Sequence, residues 1–281
     1  MTLTPVQAHQ MRIRAAQGSA AAALDERQRA LHWLHVQKSL LAGIQSHQAR
    51  HAHKAQALPE ITPYLDGVLA AAEKLAGEGA AVPADPVVAH AAIWAIDAAD
   101  WPLALRLNAH LIAHGLPAPD EFERSAATAF ADLMSDAALT GRMSAGQSVP
   151  LMQQVLHITQ EQDMPDPARA KVHKAIAYGL AGKTMLAGQA GDWAALDAAA
   201  LQMALQHLTQ AEQFDSECGV KKDIAAVQKL LRAATPESGE SGESGESAAT
   251  ADAEKAGESS AARPRKNAGA GKATPKASAR R

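Results

Sequence analysis

This sequence predicts an all-α fold, and three observations predict it. Hydrophobic residues make up 47% of the chain, but much of that share is Ala, and aromatics are only 3%. Ala and Leu favour helix, and runs of β-branched residues, which favour strands, are nearly absent. Four dipeptides pair a capping side chain with a proline suited to the first helical position: Thr4-Pro5, Thr62-Pro63, Asp85-Pro86 and Asp166-Pro167. Two Asp-Trp units, Asp100-Trp101 and Asp192-Trp193, each follow a break between helical stretches, where the Asp can cap the next helix.

Thr4-Pro5 opens a first helix near residues 5–17, which presents Arg12 and Arg14 and ends at Gly18-Ser19. A long second helix is expected from about Asp25 to Ala57, stopping before Pro59. Its stripe of Leu24, Leu31, Leu34, Leu41 and Ile44 suits either a coiled-coil seam between subunits or docking on the chain's own core. Beyond the stripe Arg50, His51, His53 and Lys54 cluster at an end suited to phosphates.

Further helices are expected near residues 63–76, 86–98, 101–114, 121–140, 151–162, 167–189, 192–213 and 220–233. Gly115, Gly141 and Gly191 read as helix stops and Asp120 as a cap. Short connections make neighbouring helices antiparallel hairpins. The Asp-Trp units resemble tetratricopeptide hairpins locally, but there are only two, and a regular solenoid needs about three or more. The expected architecture is an irregular array of helical hairpins. After Pro236 a Glu-Ser-Gly triplet repeats as far as Ser247, and a basic tip without acid or aromatic follows from Ser259. Such composition cannot bury enough apolar surface to offset chain entropy, so a disordered tail is expected.

Charge divides the chain into three segments. Residues 1–58 carry seven Lys/Arg against two acids and hold six of the twelve His. Residues 59–234 carry 12 against 21, and residues 235–281 carry 8 against 7. We read a basic helical arm at 1–58 for DNA contact and oligomerisation, an acidic hairpin body at 59–234, and a tail at 235–281 with a basic tip. The single cysteine, Cys218, excludes an internal disulfide framework and suits a reducing cytoplasm. There is no apolar signal region and no stretch of about 18 apolar residues, so neither signal peptide nor membrane span is expected.

Several constellations invite chemical readings. Gly179-Leu180-Ala181-Gly182-Lys183-Thr184 resembles the end of a phosphate-binding loop, but Ala177 replaces the first Gly and the preceding stretch reads as helix. Small residues for close helix packing explain it as well. His110 and His114 share a helix face, as do His47 and His51, yet neither pair has the carboxylate of a zinc-protease motif. No metal site is expected at either. A magnesium nuclease needs convergent carboxylates, and Asp163, Asp166 and Lys171 in DMPDPARAKVHK are the densest candidates. A loop followed by a capped helix, with Asp166 as its cap, already accounts for the set. Asp215, Glu217, Lys221, Lys222 and Asp223 form a second such cluster, which also reads as a turn and helix start.

The order of several stretches is familiar. They are Thr4-Pro5 with His9-Gln10-Met11-Arg12, Pro63 to Leu69, Ile93-Trp94-Ala95-Ile96-Asp97 and Ala113 to Pro117. Further on come Asp163-Met164-Pro165-Asp166 with Arg169 to Lys174, and Gly191-Asp192 through Cys218 to Ile224. Together they resemble the M-type small terminase subunit of tailed temperate phages with cohesive ends, a family often labelled the terminase endonuclease subunit. The resemblance implies recognition of the cohesive-end site on double-stranded phage DNA, and recruitment of the large ATPase subunit. It also implies cleavage and packaging of the genome into the prohead, in the host cell cytoplasm. Rings formed by other small terminases imply a homo-oligomer.

On that reading the DNA-contacting residues are Arg12, Arg14, Arg27, Arg29, Lys38, Arg50 and Lys54, with Arg263, Arg265 and Lys266 of the tail tip. No cofactor is expected for the subunit itself, and Mg²⁺ only if it cuts. Two alternatives stand beside recognition and recruitment. The subunit is itself the Mg²⁺-dependent endonuclease, or it is a helical scaffold that binds only protein.

Overall fold

The chain breaks its first long helix at Gly43. A computed structural model describes residues 25–119, 123–186 and 189–234, and every regular element among them is helical. The first, α1, is described over residues 25–42. There follow α2 (His47–Gly77), α3 (Pro86–Asp97), α4 (Trp101–Ala113), α5 (Ala126–Leu139), α6 (Ala145–Thr159), α7 (Asp166–Leu180), α8 (Ala198–Phe214) and α9 (Lys221–Ala234). A 3-10 turn, Trp193–Ala195, precedes α8. The expected helix at residues 5–17, the Asp120 cap and the disordered tail lie outside the described residues.

The second helix departs most from expectation. It ends at residue 42, and α2 restarts under Ser46, whose side chain accepts from the Ala49 N–H. α2 then runs through Pro59 and Pro63 to Gly77, so Thr62 does not cap a helix; its hydroxyl donates to the Leu58 carbonyl instead. The prolines lie four apart on the exposed side. The carbonyls they leave unpaired belong to the exposed residues Ala55 and Pro59, within reach of water. Ala57, Leu58, Ile61, Tyr64 and Leu65 on the other side are buried, and that packing outweighs the lost bonds.

Caps agree where the signal was local. Asp85 accepts from Val87 and Val88 N–H, and Asp100 from Leu103 N–H. Other ends moved. α5 starts at Ala126 under Ser125, and α6 starts at Ala145 with Pro150 inside it. α7 ends at Leu180 rather than 189, with Gly182 at φ 64° just beyond it. Asp166 lies in the first turn of α7 without a capping bond, and Pro165 takes the cap position. Asp192 caps only the 3-10 turn, and Asp197 caps α8. Gly191 is therefore no helix stop. It has φ 72°, and a Cβ there would lie 2.6 Å from Lys183 Cβ.

Packing runs from one hairpin to the next. α3 is buried on all sides from Val87 to Ile96, between α2, α4 and α5. α7 packs against α5, α6 and α8. The α6–α7 crossing is close at Gly179, where a Cβ would meet Ser148 Oγ at 2.9 Å and Val149 Cγ2 at 3.0 Å. The apolar stripe of α1 serves this core: Leu34 and Leu41 are buried, with Leu31 and Ile44 half-buried against them. A seam between subunits built on the same stripe is thereby displaced. At the far end Asp223 of α9 accepts from Tyr178 Oη at 2.9 Å and from Lys183 Nζ at 2.5 Å, tying α9 to α7.

Candidate nucleic-acid interface

Helical spacing puts Arg50 and Lys54 on one face of α2. That face meets α3 at Trp94 and Asp97. Lys54 Nζ bonds the Asp97 carboxylate and lies 5.8 Å from the Trp94 ring centre. His51 Nε2 stands 3.5 Å from the other Asp97 oxygen. Arg50 Nε donates to the Ile44 carbonyl at 2.6 Å, which ties down the break between α1 and α2. From α1, Lys38 Nζ reaches His90 Nε2 at 3.1 Å. His90 Nδ1 is 2.7 Å from the Pro86 carbonyl, which can only accept. The imidazole therefore donates there and turns its Nε2 lone pair to the Lys38 ammonium.

Lys38, Arg50, Lys54, His90 and Asp97 line a crevice of about 420 Å³, with Trp94 and Ile93 among its walls. Arg142, in the turn after α5, donates to the carbonyls of Ile96 and Asp97, both at 2.8 Å. It thus covers the negative end of the α3 dipole. His51 is held below its ordinary range, chiefly by burial; Asp97 pulls it back up, while Arg142 and Lys54 push it further down.

The predicted DNA-contacting residues divide accordingly. Lys38, Arg50 and Lys54 converge on the crevice. Arg27 lies apart, 3.7 Å from Asp85, and the exposed Arg29 pairs with Asp25 at 2.9 Å. Arg12, Arg14, Arg263, Arg265 and Lys266 lie outside the described residues. Sequence reasoning missed Arg142, His90 and Asp97, whose separation along the chain carries no local signal.

The predicted nuclease set is not gathered. Asp163 and Asp166 are exposed before and in the first turn of α7. Lys171 turns away from them, pairing with Asp136 at 2.8 Å and Asp132 at 3.6 Å across a cavity of about 830 Å³. Arg124 also bonds Asp132. The second acidic cluster disperses, because Asp223 is buried against Tyr178 while Asp215 accepts from the Glu217 N–H. Among the described residues no group of three or more His, Cys, Asp or Glu is placed to hold a metal. The phosphate-loop likeness also dissolves: α7 is helical to Leu180, and Lys183 is committed to Asp223.

A family model described as phage small terminase subunit matches residues 31–167, and so spans the whole crevice. The chain is also 30% identical, over 236 residues, to a protein of Escherichia phage P2 named "Terminase, endonuclease subunit"; the match covers 82% of this chain and 86% of that one. The chain belongs to the phage small terminase subunit family. No solved structure matches it. As a small terminase subunit it has its role in viral DNA packaging. Among the described residues of this small terminase subunit, no helix is long and apolar enough to cross a membrane.

Proposed function

We propose that this small terminase subunit binds double-stranded phage DNA at the cohesive-end site and recruits the large ATPase subunit, which makes the cut. The single observation behind this reading is the convergence of Lys38, Arg50 and Lys54, from two helices, on one crevice. The basic arm at residues 1–58 and the tail tip supply further cations for DNA. The acidic body at 59–234 offers its surface to partner protein, and the subunit works as a homo-oligomer in the host cytoplasm.

The name of the phage P2 relative favours a second reading, in which the subunit itself cuts DNA with Mg²⁺. Against it stands the commitment of Lys171 to Asp132 and Asp136, away from Asp163 and Asp166. A cleavage assay separates the two. Supercoiled plasmid carrying the cognate end site is incubated with Mg²⁺ and the subunit, with and without the ATPase partner. Cutting only in the tube with the partner is the expected result. Site-specific cutting by the subunit alone would move the active site into this chain.

A further inference from the structure

We propose that the exposed face of α9 is a second DNA-binding surface, on which Lys221, Lys222, Lys229 and Arg232 meet phosphates of the duplex backbone. The inference rests on the DNA-binding reading above and extends it from the basic arm to the last helix of the acidic body.

Helical spacing gathers the four cations. At about 100° per residue, Lys221, Arg232, Lys229 and Lys222 fall within an arc of about 100°. Asp223, Ile224, Val227, Leu230 and Leu231 fall on the opposite side. Asp223 and Val227 are buried there, and the other three are half-buried against the core. Docking of that side turns all four cations to solvent, and each is exposed. Asp223 is the one acid of α9, and it faces inward to accept from Tyr178 and Lys183.

The surroundings make such a face unusual. Residues 59–234 hold 21 acids against 12 Lys/Arg. Seven of the other eight Lys/Arg are held in place. Arg106, Arg124, Lys171 and Lys183 pair with carboxylates. Arg142, Arg169 and Lys174 donate to backbone carbonyls. Among the described residues no side-chain hydrogen bond or ion pair holds any of the four on α9. Asp215 and Glu217, in the turn before α9, form no ion pair with them; Asp215 accepts from the Glu217 N–H instead. An acid-rich surface thus leaves four cations together and uncompensated on one helix.

The geometry suits a backbone. Lys221 and Arg232 lie eleven residues apart, about 16 Å along the helix axis. One DNA strand presents a phosphate about every 3.4 Å of its own axis, so the face spans several. α9 packs on α8 and is tied to α7 through Asp223, which presents the charges from a fixed support. The chain then leads from α9 into the tail with its seven-cation tip, so the face continues a basic route already assigned to DNA.

The measurement is fluorescence anisotropy of a labelled duplex over a salt series, using the full chain, with thermal melting to check folding. Lys222→Gln with Lys229→Gln should shallow the slope of log affinity against log salt by about 1.8 and weaken binding roughly tenfold at about 0.1 M salt. Lys74→Gln with Arg106→Gln removes the same charge from α2 and α4 and should leave the slope unchanged. Equal shallowing in both double variants would mean that only net charge matters, and would overturn the face. An unchanged slope in a folded α9 variant also overturns it. The face would then belong to an acidic partner, either the Glu-rich stretch after Pro236 or the body of a second copy; loss of self-association in sedimentation would point to the second copy. If the double variant melts early, Lys229→Gln alone decides, with an expected shallowing of about 0.9. Absence of duplex binding by the wild type would instead overturn the DNA-binding reading itself.

Discussion

His173 of α7 and His207 of α8 meet with their Nδ1 atoms 2.9 Å apart. One must donate and the other accept, so at least one of the two imidazoles stays neutral. Phe214 stacks on His173 at 5.8 Å. Burial, then His207 and Arg169, depress His173 from 6.5 to about 4, and burial also lowers His207. The sign follows from linkage. Above pH 6.5 neither folded nor unfolded imidazole is charged, and stability is full. Between 6.5 and about 4 the unfolded chain takes up a proton that the folded one refuses, so stability falls as pH falls. Thermal melting at pH 7 and pH 5 should show a lower midpoint at pH 5, and His173→Gln should flatten the difference. A difference that persists unchanged in His173→Gln would place the titration elsewhere. The pair was invisible in the sequence because 34 residues separate its members. Asp85 and Asp100 were legible, since a cap depends on residues only two or three positions away.

Elements were read well where their signals were short-ranged and poorly where packing overrode them. The boundaries of α3, α4 and α9 fall within about a residue of expectation, because each begins or ends at a cap or a sharp turn. α2 was divided at Pro59 in the sequence reading because proline removes a helical bond. It stays whole because its opposite face is buried, which no local rule registers. The α6–α7 crossing makes a prediction at this scale. Gly179→Ala would ordinarily favour a helix, but here its Cβ meets Ser148 and Val149 at 2.9–3.0 Å. Denaturant unfolding should show a loss of about 1–3 kcal/mol, the usual effect of overpacking. A gain in stability would mean that α6 has room to move away.

For the molecule as a whole the question is how many phosphates it meets. The tail after residue 234 carries eight of the 27 basic residues and lies outside the described helices. If its seven tip cations all met phosphates, they would contribute about −6 to the slope of log affinity against log salt. A chain ending at residue 234 should therefore bind duplex with a shallower slope but keep measurable affinity through the crevice. An unchanged slope would exclude the tail from contact, and complete loss would assign the DNA to the tail alone.

Composition and proline placement were enough to determine an all-α protein, and the order of its motifs was enough to point to the small terminase family. Both are properties of short windows or of their sequence along the chain. The crevice was beyond that reach. Arg50 and Lys54 were visible as an i, i+4 pair, but whether they faced solvent, core or partner depended on where α3 came to lie. Only tertiary packing placed Asp97 against Lys54, put His90 beside Lys38 and carried Arg142 to the end of α3. The same packing drew Lys171 away from Asp163 and Asp166 to Asp132 and Asp136. The physical reason is common to both: helix formation is decided by neighbours within a turn or two, whereas the partners of a long charged side chain are decided by which helices bury their apolar faces together.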